Sequence, residues 1–264
     1  MARHNGELTP DRKTEVVPEE LRPFLSSSHK PLPFRESRIC RLLHEDRALL
    51  VIEKHAGVLT VPTERGEERT VIGALGRYMR ARYRSKAGPI AVHRLDRGTS
   101  GVLVFAKDRR AADNLIEQFR GRKPARIYIA ILAGRLAADS GTIRSHLTTD
   151  RFLNQRTTRN QVKGEEAITH FKVLARGTDT TLVRVQLETG RRNQIRAQFA
   201  DRGHPVLGDD RYATAIARHR RWPRSRLALH AATLGFTHPF QDKPLEFAVA
   251  LPLEFVRFAG FAFR

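Results

Sequence analysis

The sequence predicts an α+β fold, with a long, mostly antiparallel mixed β-sheet, flanking helices and a basic cleft. Three observations lead to this fold class. Apolar runs of strand length outnumber the segments with helical spacing. Most gaps between successive runs are as short as hairpin connections, which favours antiparallel neighbours. The sequence has no internal repeat, and its 264 residues suffice for one sizeable core or two smaller lobes.

The chain is predicted to divide into a polar arm and a body. Residues 1–38 are polar and contain five prolines, so we expect a loosely ordered arm that packs onto the body near Phe24 and Phe34. The apolar pattern begins at Ile39. Residues 39–264 are therefore predicted to form one domain.

In the first half, strands are predicted where apolar residues run together and helices where they recur every three or four positions. Asp108 is a suitable N-cap for the second helix. Gly57 and Pro62 indicate a turn and a strand edge. The predicted elements are strands at residues 48–54, 101–106 and 127–132, and helices at residues 71–83 and 108–120.

The second half repeats the strand pattern and is predicted to close with two strands. One helix is expected to end at Gly203, because glycine commonly follows the last helical turn. An arginine-rich insertion at residues 210–226 is predicted to be a surface loop or a short helix. The predicted elements are strands at residues 141–147, 167–175, 180–187, 228–237 and 245–250, and a helix at residues 192–201.

The charge balance indicates a polyanionic partner. Lysine and arginine number 48 against 28 acidic residues, a net charge of +20. Phosphates favour such a surplus, so nucleic acid is the leading interpretation, with an anionic membrane surface or simple solubility as alternatives. No apolar run approaches the roughly 20 residues of a membrane span, and no signal peptide is recognisable. The single Cys40 fits a reducing compartment, so we expect a cytoplasmic monomer.

The most informative segment is a polar turn between two apolar runs, at residues 93–101. It reads His-Arg-Leu-Asp-Arg-Gly-Thr-Ser-Gly. Asp96 lies between Arg94 and Arg97, and two neighbouring cations keep a carboxylate ionised. Gly101 permits a conformation that a side chain would obstruct. An ionised carboxylate on a strand-flanked loop is typical of a catalytic group, although a turn aspartate that only caps a hairpin is the alternative.

This segment resembles the catalytic loop of the RluA-type RNA pseudouridine synthases. In that family the aspartate attacks the target uridine, the N-glycosidic bond breaks, and the uracil turns and reattaches through carbon. The resemblance implies that Asp96 is the nucleophile. It also implies that Arg94 enters the RNA stack beside a flipped-out base. The alternative for Arg94 is that it only neutralises Asp96.

Residues 124–130, Pro-Ala-Arg-Ile-Tyr-Ile-Ala, resemble the second motif of the family. The family tyrosine stacks on the flipped base and is implicated in proton abstraction at carbon 5, which implies these roles for Tyr128. Arg126 stands where the family usually has lysine, a change that keeps the charge. Without the resemblance, a strand tyrosine is most simply a core residue.

Residues 188–196, Glu-Thr-Gly-Arg-Arg-Asn-Gln-Ile-Arg, resemble the family's third motif. The resemblance implies that Arg196 pairs with the catalytic aspartate, since an arginine fork holds a carboxylate in orientation and charge. The alternative is an arginine on a solvated helix face. Asn193 replaces the family histidine and cannot become cationic, which puts a structural or RNA-contacting role of this position in doubt.

Further ordered matches extend the resemblance over roughly residues 45–252, at residues 53–62, 202–209 and 227–231. About 40 residues precede the body, too few for the S4-type RNA-binding domain of many relatives. Trp222 is expected to stack on RNA, with a buried tryptophan in a solvated charge run as the alternative. The residues predicted to contact RNA are Arg94, Arg97, Arg126, Arg191, Arg192, Arg221 and Trp222.

Together these features predict an isomerase that converts uridine to pseudouridine in structured RNA, ribosomal or transfer, with no cofactor and no metal. Two alternatives stay open. One is a catalytically silent RNA-binding module. The other is a metal-dependent nuclease that uses Asp209 and Asp210, although two adjacent carboxylates are weak evidence for a metal site.

Overall fold

The computed structural model describes residues 19–84, 87–150, 154–158, 162 and 164–263, so the first 18 residues of the predicted arm lie outside the described residues. The strands in these ranges form one mixed sheet in the order β1-β2-β4-β10-β5-β9-β8-β6-β7, with β3 on β4 and β11 on β10. The strands are β1 (Cys40–Glu45), β2 (Leu49–Lys54), β3 (Ile90–Ala91), β4 (Ser100–Ala106), β5 (Ala125–Ala133), β6 (Ser140–Thr149), β7 (Gln155–Thr158), β8 (Glu165–Arg176), β9 (Thr180–Leu187), β10 (Leu229–Thr237) and β11 (Pro244–Ala248).

Neighbouring strands are antiparallel except at one place in the described sheet. There β4 and β10 run parallel, with His230 opposite Ser100 and Ala231 opposite Gly101. The fold is therefore the predicted α+β class with a mostly antiparallel mixed sheet. The helices are α1 (Val71–Tyr83), α2 (Arg109–Arg120), α3 (Gln194–Asp201) and α4 (Leu253–Ala262).

The sheet is covered on both faces, and alternate residues of its central strands go to different cores. Leu50 and Ile52 of β2 pack in the core that contains α1, α3 and α4. Leu49 and Val51 pack in the core that contains α2. Because side chains alternate along a strand, burial on both faces requires a continuous apolar run, which is what the sequence of β2 provides.

The first two helices have the boundaries and caps that the sequence predicts. Helix α1 spans the predicted residues, and the Thr70 hydroxyl accepts a hydrogen bond from the backbone N–H of Gly73. Helix α2 begins after Asp108, whose carboxylate accepts from the N–H of Ala111. Helix α3 starts two residues later than predicted because Asn193, its N-cap, adopts a left-handed conformation with φ 51°.

Several predictions about the elements are wrong. Strands β1 and β7 and helix α4 are absent from the predicted set. The two strands predicted to close the chain are β10 and β11, but helix α4 follows them. The expected strand edge at Gly57–Pro62 is only an isolated bridge between Leu59 and Thr70. None of the helices in the described ranges is long and apolar enough to cross a membrane.

The described part of the predicted arm lies against the body. Leu21 is fully buried, and the carbonyl of Phe24 accepts a hydrogen bond from the N–H of Leu251 at 2.8 Å. The ring of Phe34 contacts the edge of Tyr78 on α1, with centroids 5.4 Å apart. Phe24 and Phe34 thus contact the body where the sequence predicts.

Candidate active site

Asp96 lies on the loop between β3 and β4, and glycine allows the following strand to sit where it does. Gly101 has φ 122°, and a Cβ atom there would lie 2.1 Å from the carbonyl oxygen of Ala231 on β10. A side chain would push the two parallel strands apart. The close approach of β4 to β10 therefore fixes the position of the Asp96 loop relative to the centre of the sheet.

Lys54, at the end of β2, binds this loop through a backbone carbonyl. Its side chain is fully buried, and its Nζ donates to the carbonyls of His55, Val58 and Arg97 at 2.9, 2.6 and 3.1 Å. Three acceptors match the three hydrogens of an ammonium group. Burial lowers the pKa of Lys54 to about 7, and the negative charge of Asp96 opposes that lowering. Lys54 therefore ties two loops together beside the Asp96 carboxylate.

Arg226 contacts the next residues of the same loop. Its guanidinium donates to the carbonyl of Gly98 at 3.1 Å and to the hydroxyl of Ser100 at 2.7 Å. The remaining edge pairs with Glu254 of α4 at 2.6 Å. The same Ser100 hydroxyl is hydrogen-bonded to Nδ1 of His230, at 2.8 Å. The loop that carries Asp96 is thus anchored, in the residues that follow Asp96, by two buried basic side chains.

Arg196, on α3, contacts three carboxylates. One NH group lies 3.3 Å from Asp96 Oδ2. The other edge grips Asp209 in a two-point bond, at 2.7 and 2.8 Å, and Asp210 lies 3.4 Å away. Burial opposes the charge of Arg196, but its bonds to Asp209 and the charges of Asp209 and Asp96 outweigh burial and raise its pKa. The guanidinium is therefore a fixed positive charge presented to Asp96.

Asn193 and Tyr212 complete the support of this arginine. The Asn193 carbonyl accepts from Arg196 at 3.3 Å, and its amide donates to the hydroxyl of Tyr212 at the same distance. The Arg196 guanidinium lies 5.4 Å from the centre of the Tyr212 ring. Asn193 therefore has a structural role, at the position where the sequence departs from the family motif.

The nuclease alternative does not fit these contacts. The Asp209 side chain is completely buried and is committed to Arg196. In the described ranges, no group of three or more His, Cys, Asp or Glu side chains is arranged to hold a metal ion. Asp209 instead orients the arginine that pairs with Asp96, a function that the sequence alone did not reveal.

Tyr128, on β5, lines the same cavity as Asp96 and Arg196. Its side chain is 9% exposed. Burial raises the pKa of Tyr128 to about 12; the charge of Arg126 opposes this rise and that of Asp96 adds to it. The phenol is therefore neutral in the resting site. The cavity thus combines an ion-paired carboxylate, a guanidinium and an aromatic ring.

Arg126, two residues before Tyr128, is 7% exposed. It donates to the carbonyl of Glu188 at 2.8 Å, while its Nε has no hydrogen-bond partner in the described part of the chain. A Cβ at Gly190 would lie 2.3 Å from its NH1 atom. Glycine at that position therefore makes room for a buried guanidinium. Burial lowers the pKa of Arg126.

Four other arginines that are predicted to contact RNA lie around the site. Arg94 and Arg192 are exposed and line the cavity around Asp96. Arg191 also lines it and pairs with Glu165 at 2.7 Å. Arg97 is exposed, and its Nε donates to the carbonyl of Gly57 at 3.1 Å. These arginines form a cationic rim around the site.

The structure argues against stacking of RNA on Trp222. Its side chain is 4% exposed, and its indole N–H donates to the carbonyl of Arg226. The ring packs edge-on against Phe255 and Phe258 of α4, with centroids 5.1 and 5.4 Å away. The alternative that the sequence left open, a buried tryptophan, is therefore correct. Its neighbour Arg221 is exposed.

Comparisons with known proteins point to one family. Residues 48–201 match the family model described as RNA pseudouridylate synthase. The chain is 37% identical over 213 residues to an uncharacterized RNA pseudouridine synthase, YhcT, of Bacillus subtilis, covering 76% of this chain and 65% of that protein. It is 35% identical over 207 residues to the dual-specificity RNA pseudouridine synthase RluA of Yersinia pestis, covering 78% of this chain and 96% of that protein.

A solved structure has the same fold. The human protein titled RNA Pseudouridylate Synthase Domain Containing 4 superposes with a TM-score of 0.68 at 24% identity, over 85% of this chain and 93% of that one. This likeness confirms the α+β fold class. The family match and the RluA-type relatives confirm the family to which the sequence motifs point. The chain therefore belongs to the RNA pseudouridine synthase family, a family of isomerases that act on RNA.

Proposed function

We propose that this chain converts specific uridines to pseudouridine in structured ribosomal or transfer RNA, with Asp96 as the nucleophile on a flipped-out base. The observation that carries the proposal is the arrangement of one cavity, where Asp96 lies 3.3 Å from Arg196 and shares the lining with Tyr128. A ribosomal substrate is supported by one relative, 32% identical over 222 residues, named ribosomal large subunit pseudouridine synthase D, of Zymomonas mobilis.

The reaction needs an ionised and well-placed carboxylate, whether attack is at the sugar or at the base. Arg196 pairs with the Asp96 carboxylate and fixes its position, because Arg196 is itself held by Asp209. Overall, the bond from the sugar to N1 breaks, a bond from the sugar to carbon 5 forms, and the proton on carbon 5 is exchanged for one on N1. Atoms and electrons balance without an added reactant, so the residues of the cavity suffice for the steps that we assign.

Tyr128 is proposed to stack on the turned-out uracil and then to accept the proton from carbon 5. The negative charge of Asp96 is one cause of the raised pKa of Tyr128, and the charge of Arg126 acts against it. When Asp96 bonds to the substrate, its charge is lost. The pKa of Tyr128 then falls, so the phenol gives up its proton more readily; we assign that proton to N1 of the uracil, and the resulting phenolate takes the proton from carbon 5.

Arg94 is proposed to fill the gap that the extruded base leaves in the RNA. Extrusion costs a few kcal/mol of unpairing and unstacking. Arg94 is exposed, and it has no carboxylate partner in the described ranges. A long cationic side chain at the rim of the cavity can both occupy the stack and contact phosphate. We also expect the protein to act as a monomer in the cytoplasm.

The test is pseudouridine mapping of total RNA from cells that lack the gene and from cells complemented with wild type or Asp96→Asn. The matched control is Asp113→Asn, an exposed aspartate of α2 that pairs only with Arg109 in the described structure. We expect one or a few sites to disappear in the deletion strain and to return with wild type and Asp113→Asn but not with Asp96→Asn. Unchanged sites in the deletion strain would contradict the proposal.

The second candidate, a silent RNA-binding module, predicts a different pattern. Cells complemented with Asp96→Asn would then grow and modify RNA like wild type. The buried support for Arg196, from Asp209 and Asn193, favours the enzyme, because a binding surface has no need to fix a carboxylate so closely.

A further inference from the structure

A second cavity adjoins the one that contains Asp96. Its volume is about 480 Å³, within the usual range for ligand sites. Arg94, Tyr128, Leu187, Gly190 and Arg191 line both cavities. The two spaces are therefore neighbouring parts of one cleft, separated by the side chains that they share.

The walls of the second cavity differ in chemistry. One side is apolar, with Val92, Ile116 and Phe119. The Phe119 ring is stacked on His93, with centroids 4.4 Å apart. The Arg126 guanidinium lies 5.8 Å from the centre of the Phe119 ring. The arginines that line the cavity are Arg94, Arg120, Arg122, Arg126 and Arg191.

The positive charge of this cavity is incompletely neutralised. Arg122 pairs with two glutamates and Arg191 with one. Arg94, Arg120 and Arg126 form no ion pair in the described part of the chain, and no carboxylate lines the cavity there. Arg126 is the most telling of the three, because it is more than nine-tenths buried and its Nε has no hydrogen-bond partner among the described residues. Burying an unpaired charge is costly unless a partner arrives.

His93 adds a neutral, planar surface to this cavity. The backbone N–H of Val104 donates to its Nε2 at 3.1 Å, which places the ring proton on Nδ1. Burial lowers the pKa of His93 to about 3, with the charge of Arg126 adding to the effect. The imidazole is therefore uncharged at neutral pH, and the charge of the cavity comes from the arginines alone.

We propose that the second cavity binds the nucleotide adjoining the target uridine, with its phosphate against Arg126 and its base along the Val92–Ile116–Phe119 wall. The proposal rests on the function assigned above and adds a subsite to it. Apolar side chains beside a cluster of unpaired arginines match a nucleotide, which has a flat base and an anionic phosphate. Gly190 is then part of the subsite, since it leaves room for the Arg126 guanidinium.

The test combines a change in the RNA with a change in the protein. Labelled AAUAA pentaribonucleotide is the probe, with AAAAA as reference and with either phosphate beside the uridine replaced by an uncharged methylphosphonate. For wild type, we expect one replacement to lower affinity about tenfold. In Arg126→Gln, affinity for the unmodified probe should fall about tenfold, and the same replacement should then cost less than about twofold.

The matched control is Arg47→Gln, an exposed arginine in the hairpin between β1 and β2, which should keep the tenfold cost. A second variant, Ile116→Trp, fills the apolar side from a half-exposed position on α2 and keeps every charge. This variant should also weaken binding of AAUAA about tenfold. It tests the nucleotide subsite on its own if Arg126→Gln does not fold.

The two proposals fail in different ways. Equal affinity of wild type for AAUAA and AAAAA would count against the uridine-specific function, and the phosphate effect can still be measured on either oligomer. A methylphosphonate cost that is absent in wild type, or equally large in Arg126→Gln, would overturn the subsite. So would unaltered binding by Ile116→Trp.

Discussion

Arg196 and Arg126 are buried to nearly the same extent in one cleft, with 8% and 7% of their surface exposed. Their surroundings are opposite. Arg196 contacts three carboxylates, whereas Arg126 contacts a backbone carbonyl and no carboxylate in the described ranges. Burial acts against the charge of both. At Arg196 the bonds to Asp209 prevail and raise the pKa, but at Arg126 burial prevails and lowers the pKa.

The difference separates two uses of a buried cation. Arg196 is neutralised within the protein, so it can hold the Asp96 carboxylate in a fixed place before any ligand arrives. Arg126 is left without a counter-charge, which costs stability in the free protein and favours an anionic ligand. A site of this kind gives up stability on the side where RNA would supply the missing charge.

The largest expected effect on stability comes from replacing Arg196 by methionine, and the same replacement of Arg126 is its counterpart. Arg196→Met leaves the buried Asp209 carboxylate unpaired and should lower the free energy of unfolding by about 3–5 kcal/mol. Arg126→Met removes an unpaired buried charge at the loss of one hydrogen bond, so the change should stay within about 1 kcal/mol. Urea unfolding at pH 7 measures both. Similar losses in the two variants would break the comparison.

Replacing Gly208, which precedes the Asp209 partner of Arg196, should destabilise the protein more than replacing Gly190, which lies beside Arg126. Gly208 precedes Asp209, has φ 72°, and a Cβ there would lie 2.0 Å from the carbonyl oxygen of Arg226. Gly208→Ala should therefore lower the free energy of unfolding by at least about 2 kcal/mol. A Cβ at Gly190 meets only the mobile end of Arg126, so Gly190→Ala should cost about 1 kcal/mol or less.

Gly190→Ala should also weaken RNA binding. The added methyl group displaces the Arg126 guanidinium, and RNA affinity should fall by about threefold to tenfold. Thermal unfolding and oligonucleotide binding measured on one preparation separate the two. Unchanged affinity together with a strong loss of stability would show that Gly190 serves only the fold.

A smaller effect concerns pH. His93 has a pKa lowered to about 3 in the folded protein and near 6.5 when unfolded. Between these values the unfolded chain binds a proton that the native state does not. The stabilisation is thus complete above about pH 6.5 and is lost as the pH falls toward 3, by up to about 1.4 kcal/mol per pH unit.

Urea unfolding from pH 7 to pH 4 measures this dependence. His93→Gln keeps an acceptor for the N–H of Val104 but does not titrate, so its stability should fall less steeply with acid. Arg126→Met should fall in between, since the charge of Arg126 contributes to the lowered pKa of His93. If stability fell equally with acid in wild type, His93→Gln and Arg126→Met, the predicted dependence on the His93 pKa and on the Arg126 charge would be contradicted.

The sequence predicts the elements with strong periodicity and misses those without it. The bounds of α1 and β9 are as predicted. Strand β7, with sequence Gln-Arg-Thr-Thr, has no apolar run, because it lies at the edge of the sheet. Helix α4 is apolar nearly all round and rich in phenylalanine, so no helical stripe distinguishes it from a buried strand.

In the site, motif resemblance named Asp96, Tyr128 and Arg196, and the structure places all three around one cavity. Their catalytic roles stay predictions. The partners of these residues were harder to foresee, since burial and pairing depend on contacts between distant segments. Lys54 reads as the polar end of a strand, and Asp209 as half of an acidic pair. Only the fold shows that both are buried, that Lys54 binds the Asp96 loop and that Asp209 binds Arg196.

The link from α4 through Arg226 to the Asp96 loop has a consequence for synthesis. Glu254 lies 156 residues after Gly98, yet both contact the same guanidinium. At about 5–20 residues per second, a ribosome needs roughly 8–30 s to add that length. During this interval the loop lacks the completed contact between Arg226 and Glu254. The Asp96 loop therefore acquires all of its contacts only after nearly the whole chain has been synthesised.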